Sequence, residues 1–265
     1  MTVVDTETFA QQWAAWHEEH EKRRASAHGF LAITSIRWLG EEPETYDDVP
    51  GAWSSRPEGI VVSLAPGESL VVDGVEVTGR HSFGVIDEHG GITAEFGDAV
   101  VEIAKRGGSD IIRPRHPDNP VLTGYQGTEA YAPDPAWAVP GRFVAYETPV
   151  PTTVGSVVDG LEHVYEAVGE IEFEVGGAVH SLVAFPGSAP GSLHVLFVDE
   201  TSGRTTYAAN RTLSVEAPDE EGNLVIDFNR ATNLPCAYTD HATCPLPPAG
   251  NRLPVAVEAG EKTPA

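Results

Sequence analysis

The sequence predicts a mainly β protein: an antiparallel β-sandwich or flattened β-barrel carrying an N-terminal amphipathic helix. Three observations lead there. From residue 59 onward the apolar residues come in short β-branched runs, such as GIVVSLA, SLVVDGVEV and AVVEIAKR, each broken by Gly, Pro or Asp turns. No helical pattern of useful length alternates with these runs, which disfavours a parallel β-α-β sheet. At 265 residues with 41% apolar content, the chain holds enough apolar surface for a core without help from disulfides. Residues 1–58 read as the helix and a connecting segment, and residues 59–265 as the antiparallel domain, the two forming one compact unit.

Asp5 and Thr6 are positioned to cap a helix in which Phe9, Trp13 and Trp16 recur at the helical period, ending near Ser26 before Gly29. His17 and His20 lie three apart on it, flanking two glutamates. That spacing misses the four-residue separation of a zinc-protease H-E-x-x-H helix, so the pair reads as solvated and no metal is expected there. The segment EEPETYDDVPGAWSSRPEG is acidic and rich in turn formers and reads as a surface connection, open to acting as a lid. Asp73-Gly74, between two short apolar runs, is a strong two-residue hairpin signal, and Arg106-Gly107-Gly108-Ser109 turns the next hairpin. Residues 121–143 carry too much Gly and Pro for regular structure before Ala136, and a strand follows around residues 142–146. Further strands of five to seven residues, separated by Gly-Gly, Pro-Gly and Thr-Ser-Gly turns, run to about residue 229.

Composition narrows the function classes. Forty acidic against sixteen basic residues give a net charge of −24, a field that repels phosphate backbones and anionic lipid surfaces. Neither a nucleic acid nor a membrane is expected as a partner. There is no apolar run near 18 residues and no leader pattern at the start, so the expected location is cytoplasmic. No Gly-rich phosphate loop joins a strand to a helix and no G-x-S-x-G elbow occurs, so no nucleotide cofactor is expected.

The distinctive stretch is residues 227–262, DFNRATNLPCAYTDHATCPLPPAGNRLPVAVEAGEK, which holds both cysteines and four prolines within fourteen residues. Leu224, Ile226 and Phe228 should share one strand face, with Val225, Asp227 and Asn229 on the other. The prolines beyond them preclude a helix or a central strand, so a long ordered loop follows, pinned to the body by its apolar residues. Cys236 and Cys244 lack the tight spacing of a zinc site, and a metal would need His81, His116 or His194 from a distant strand. Two buried structural thiols are the leading reading, with a disulfide and a metal site as alternatives. In the run VDETSGRTTYAANR, Asp199 starts a turn, Gly203 allows a positive φ, and Thr205, Tyr207, Ala209 and Arg211 share one face of a return strand. Asp227, if buried, requires a guanidinium partner, which Arg211 or Arg113 would supply.

The runs DETSGRTTYAANR and DFNRATNLPCAY leading into TCPLPPAGN, with the early Trp38 and the R-x-R at Arg113 and Arg115, resemble the family catalogued as domain of unknown function 1684 over the full length. Similar chains read N-P-P-C where this one has Asn233-Leu234-Pro235-Cys236, and often an aromatic where it has His241. The resemblance implies no assigned activity. The residues themselves lead to a pocket for a small polar or anionic molecule, closed by the C-terminal loop and lined by Arg113, Tyr207, Arg211, Asp227, Asn229 and Asn233. Two other classes stand beside it: a hydrolase-type enzyme using a metal or a cysteine in that pocket, and a structural or interaction protein without catalysis.

Overall fold

The computed structural model describes residues 6–88 and 90–265; the expected Asp5 cap lies outside the described residues. In chain order the elements are α1 (Thr6–Arg24), β1 (Arg37–Trp38), β2 (Glu44–Tyr46), β3 (Val49–Arg56), β4 (Gly59–Ser63), β5 (Leu70–Val72), β6 (Val75–Val77), β7 (Arg80–Gly84), β8 (Gly91–Phe96), β9 (Ala99–Arg106) and β10 (Ser109–Arg115). They continue with α2 (Pro120–Thr123), β11 (Ala138–Gly155), β12 (Glu162–Val175), β13 (Ala178–Pro186), β14 (Leu193–Phe197), β15 (Arg211–Val215) and β16 (Asn223–Asp227). Among the described residues every pair of these strands is antiparallel, and the protein is mainly β with an N-terminal helix, as the turn-punctuated pattern predicts. No helix among the described residues is long and apolar enough to cross a membrane.

Two compact units result. One comprises Met1–Glu21, Gly127–Tyr238 and Cys244–Ala265; the other comprises Lys22–Gln126 and Thr239–Thr243. The division expected at residues 58 and 59 falls instead inside a hairpin, where β3 and β4 pair Arg56 with Gly59. The acidic segment, residues 41–59, forms β2 and all of β3 rather than a surface connection. Its Trp53 is fully buried, stacked on Phe83 at 5.7 Å, with the indole N–H donating to the Pro50 carbonyl at 2.9 Å. Charge and turn formers at the ends of short strands concealed this one apolar anchor.

The unit containing residues 22–126 pairs a six-stranded sheet (β1-β10-β9-β8-β5-β6) with a four-stranded one (β2-β3-β4-β7). Trp53, Ile60, Val62, Leu70, Val101, Ile103 and Ile112 from the two sheets share one apolar cluster. The β5–β6 hairpin turns at Asp73 and Gly74, with φ of +50° and +76°, so both central residues take the sign that a twisted two-residue turn requires. On β9 the Glu102 carboxylate receives Arg113 from β10 at 2.7 and 3.1 Å, Arg106 at 3.0 Å and also Arg115. Burial alone would raise the Glu102 pKa. The charges and hydrogen bonds of Arg113 and then Arg115 outweigh it and hold the group below the ordinary carboxylate value.

The other unit is built on a six-stranded sheet in the order β15-β14-β13-β12-β11-β16, with the long β11 paired to both β12 and β16. Ile171, Phe173, Leu182, Val195, Phe197, Leu213, Ile226 and Phe228 fill its core, joined by Leu253, Val257 and Ala259 from the irregular C-terminal segment. That segment makes only isolated bridges, such as Val198 with Arg252 and Ala130 with Glu261, so side chains supply further partners where it meets the sheet. Asn251 is fully buried: its amide accepts from Val183 N–H at 2.8 Å and donates to the carbonyls of Val183 and Leu196 at 2.9 and 2.8 Å, filling the gap where β13 and β14 part. Arg211 does the largest share. Its guanidinium, with a side chain 1% exposed, bonds Asp199 at 2.5 Å and the carbonyls of Val257 at 3.1 Å, Glu261 at 3.4 Å and Ala259. It also lies over the Phe197 ring, 5.3 Å from its centroid.

Removing Arg211 leaves the Asp199 carboxylate and several carbonyls buried without their donor. Arg211→Ala is expected to cost about 3–5 kcal/mol in urea denaturation. Arg211→Lys should also lose much of this, because an ammonium lacks the planar fork; a wild-type midpoint for either variant would contradict the role. Glu102→Gln should cost about 2 kcal/mol at neutral pH. Because the Glu102 pKa is depressed in the fold, the difference from wild type is full above the ordinary glutamate value of about 4.3 and narrows as pH falls through the depressed one. A pH-independent difference would refute that pairing.

Candidate functional site

The six residues expected to line a pocket are not assembled into one wall. Arg211 pairs with Asp199, not with Asp227, and is enclosed by backbone carbonyls. Asp199 keeps its expected turn role as well, since its Oδ1 accepts from the Thr201 N–H at 2.6 Å. The return strand begins only at Arg211, so residues 203–210 form a turn rather than a strand face, and Tyr207 donates its hydroxyl to the Cys236 carbonyl at 2.7 Å. Arg113 belongs to the other unit and is bound by Glu102.

Asp227 ends β16 and caps a single 3-10 turn, accepting from Asn229 N–H at 3.1 Å and lying 3.3 Å from Arg230 Nε. Leu224, Ile226 and Phe228 point inward and Val225 outward, as the alternation predicts. The turn then reverses the expectation for Asn229, which becomes buried. Its amide exchanges two 2.9 Å hydrogen bonds with the Asp134 backbone, and its carbonyl accepts from the Trp13 indole at 2.7 Å. Asn233 donates its backbone N–H to Glu261 Oε2 at 2.6 Å and its side chain to the Lys262 carbonyl at 2.7 Å. These amides act as clasps on the segment, and most of their capacity goes to backbone.

Polar groups converge elsewhere in the same unit. On α1, His17 stacks on Trp13 at 4.7 Å and His20 on Trp16 at 5.4 Å, so neither ring is loosely solvated. Glu21 follows His17 by four residues, one turn along the same face. Opposite them stands Glu261, 1% exposed, with Oε1 at 3.7 Å from His20 Nε2 and Oε2 accepting from Asn233 N–H and, at 3.5 Å, from the Tyr238 hydroxyl. The Glu21 carboxylate accepts from Thr128 N–H at 3.1 Å. One ligand atom from each of His17, Glu21 and Glu261 lies within 4.8 Å of the others, and this is the one such group of His, Cys, Asp or Glu among the described residues.

The backbone fixes Glu261 with little freedom. Its N–H donates to the Ala231 carbonyl at 2.9 Å, and its neighbours Gly260 and Lys262 bond Tyr131 and Glu129 at 2.9 and 2.8 Å. Gly260 has a φ of +74°, and a Cβ there would stand 2.6 Å from the Ala231 oxygen, so only glycine permits this close approach. The sequence carries a signal for half of the site. His17 and Glu21 stand at i and i+4, the spacing that the His17 and His20 pair lacks. The third group, 240 positions away, has no local signature.

The same unit also carries surface grooves formed by described residues. One of 450 Å³ is lined by Ser214, Glu216, Asp219, Asn223, Asp227 and Arg230 among others. Another, of 620 Å³, is apolar and lies between Phe143, Tyr146, Val168 and the 186–193 turn.

A search of curated proteins finds no match. Among solved structures, the solution NMR structure of an uncharacterized protein of Haloarcula marismortui is similar: 33% identity over 53% of this chain and 78% of that one, with a TM-score of 0.45. A family described as "Protein of unknown function (DUF1684)" matches residues 123–262. The expected likeness over the full length is thus carried by about half the chain, and Trp38, Arg113 and Arg115 fall outside the matched stretch. That stretch contains the Asp199–Arg211 pair, the asparagine clasps, both cysteines and Glu261, and the chain belongs to the DUF1684 family.

Proposed function

We propose that the protein binds a divalent cation between α1 and the C-terminal segment, and that the bound cation takes a small anionic molecule as its further ligand. The observation that carries this reading is the convergence of His17, Glu21 and Glu261. One imidazole nitrogen and two carboxylates form the mixed N/O set that suits zinc, manganese or iron, and His20 stands beside Glu261 just outside that set. A cation about 2.0–2.2 Å from each donor needs them within about 4.4 Å of one another. Side-chain shifts of a few tenths of an ångström reach that from 4.8 Å.

The supporting shell is of the kind such sites need. The Trp13 and Trp16 rings hold the imidazoles, and the Asn233 N–H and Tyr238 hydroxyl orient Glu261. Three protein donors leave coordination positions open, which a carboxylate or phosphate oxygen, or water, would fill. Binding of a small polar or anionic molecule is therefore sought at this cation rather than around Arg211. A metal-assisted hydrolysis is the reaction class that such an open position would serve. A second reading places a small polar ligand in the groove beside Asp227 and Arg230. Its lining has three carboxylates to one guanidinium, which favours an amine over an anion.

Protein purified without chelator should contain zinc, manganese or iron by elemental analysis. The chelated protein should gain thermal stability on adding back the metal. His17→Ala and Glu261→Gln are each expected to weaken binding at least as much as the roughly 10–100-fold that supporting hydrogen bonds alone are worth. Protons compete for the imidazole, so affinity falls as pH is lowered. No bound metal and no stabilisation by any of the three ions would end the reading. For the groove, an amine that stabilises wild type but not Asp227→Ala would support the second reading.

A further inference from the structure

Cys236 and Cys244 are not bonded to each other, yet they are set against each other by contacts from several sides. Cys236 lies in the single 3-10 turn Pro235–Ala237, and its carbonyl is held by the Tyr207 hydroxyl at 2.7 Å. The Cys244 carbonyl accepts from Val157 N–H at 3.0 Å and Ser156 Oγ at 3.2 Å, next to a bridge between Ser156 and Pro245. The Asn210 amide donates to the Pro245 carbonyl at 2.6 Å. Across the intervening loop the Cys236 N–H donates to the Cys244 sulfur at 3.4 Å.

The two thiols are unequal. Cys244 is 6% exposed while Cys236 is half-buried. A hydrogen bond from the Cys244 thiol, opposed by burial and aided by Tyr207, holds the Cys236 pKa below the ordinary thiol value. Reactive cysteines combine partial exposure with a stabilised thiolate, and their resolving partner stands nearby. A pair serving only as buried filling has no need of this asymmetry.

We propose that Cys236 and Cys244 form a reversible dithiol–disulfide couple in which Cys236 reacts with a small hydroperoxide and Cys244 resolves the product. The Cys236 thiolate attacks the terminal peroxide oxygen, the O–O bond breaks, and the other oxygen leaves as an alcohol, or as water from hydrogen peroxide, after taking a proton. Cys236 is then a sulfenic acid. The Cys244 sulfur attacks it, the S–S bond forms, and the hydroxyl departs as water with the Cys244 proton. Overall, two thiols and one hydroperoxide give one disulfide, one alcohol and one water. Two molecules of a small thiol such as glutathione return the pair to its reduced state and become a disulfide themselves. The inference is independent of the cation reading, because neither sulfur belongs to the group around Glu261.

The test uses the full chain, reduced and then treated while folded with stoichiometric hydrogen peroxide before quenching with N-ethylmaleimide. Peptide mapping should find Cys236 linked to Cys244 within one chain, with the loss of two hydrogens, and glutathione should reverse it. Cys244→Ser should stop at a sulfenic acid on Cys236 that dimedone captures, whereas Cys236→Ser should react at least about tenfold more slowly. Wild-type protein that accumulates sulfinic acid on Cys236 with Cys244 still a thiol, or that links only between chains, would overturn the proposal. So would equal reactivity of the two cysteines or no reaction at all. The peptide map is made on wild type, so it decides the matter even if a serine variant fails to fold.

Discussion

The unit that contains the candidate site depends on one buried guanidinium. A charge removed from water is tolerated only when its hydrogen-bonding capacity is filled, and Arg211 fills it with Asp199 and three carbonyls of residues 257–261. Burial pulls the guanidinium's pKa below its ordinary value even with the Asp199 carboxylate beside it, a sign of how dry the position is. The geometry works in both directions. The carbonyls of the C-terminal segment gain donors that no strand provides, and Glu261 is thereby carried to the face of α1. A residue whose sequence context suggests the wall of a cavity is the reason the neighbouring polar pole has its shape.

Much of the fold is legible because local chemistry and tertiary context agree. Asp73 and Gly74 need positive φ, the flanking runs are β-branched, and the hairpin forms with the register those residues imply. The helix from Thr6 follows from the spacing of Phe9, Trp13 and Trp16. Where expectation and structure part, a single residue carries information that composition hides. Trp53 converts an acidic, turn-rich stretch into a core strand, and the 3-10 turn after Asp227 rotates Asn229 from the outer face into the interior. Period-two alternation holds only while the strand lasts.

The candidate site is less legible for a related reason. Polar residues in a ladder-free segment have two competing uses, binding something else or satisfying the chain itself, and composition does not separate them. Asn229, Asn233 and Asn251 are spent mainly on backbone. His17, Glu21 and Glu261 come from opposite ends of the sequence, so only the folded arrangement reveals that they meet. The pairing of Arg113 with Glu102 makes the same point in the other unit, where a promising guanidinium is already committed to a carboxylate shared with two more arginines.

The interleaving of the two units along the chain has a consequence for biosynthesis. Both sheets formed by residues 22–126 are encoded contiguously, so their pairing partners are all present once that span has left the ribosome. The other unit lacks part of its interior until Leu253, Val257 and Ala259 have been translated. Its long β11–β12 pair is synthesised more than seventy residues earlier and must wait, with apolar faces uncovered, for those residues to arrive. A nascent chain that ends between residues 215 and 250 therefore leaves part of that apolar face without the side chains that cover it.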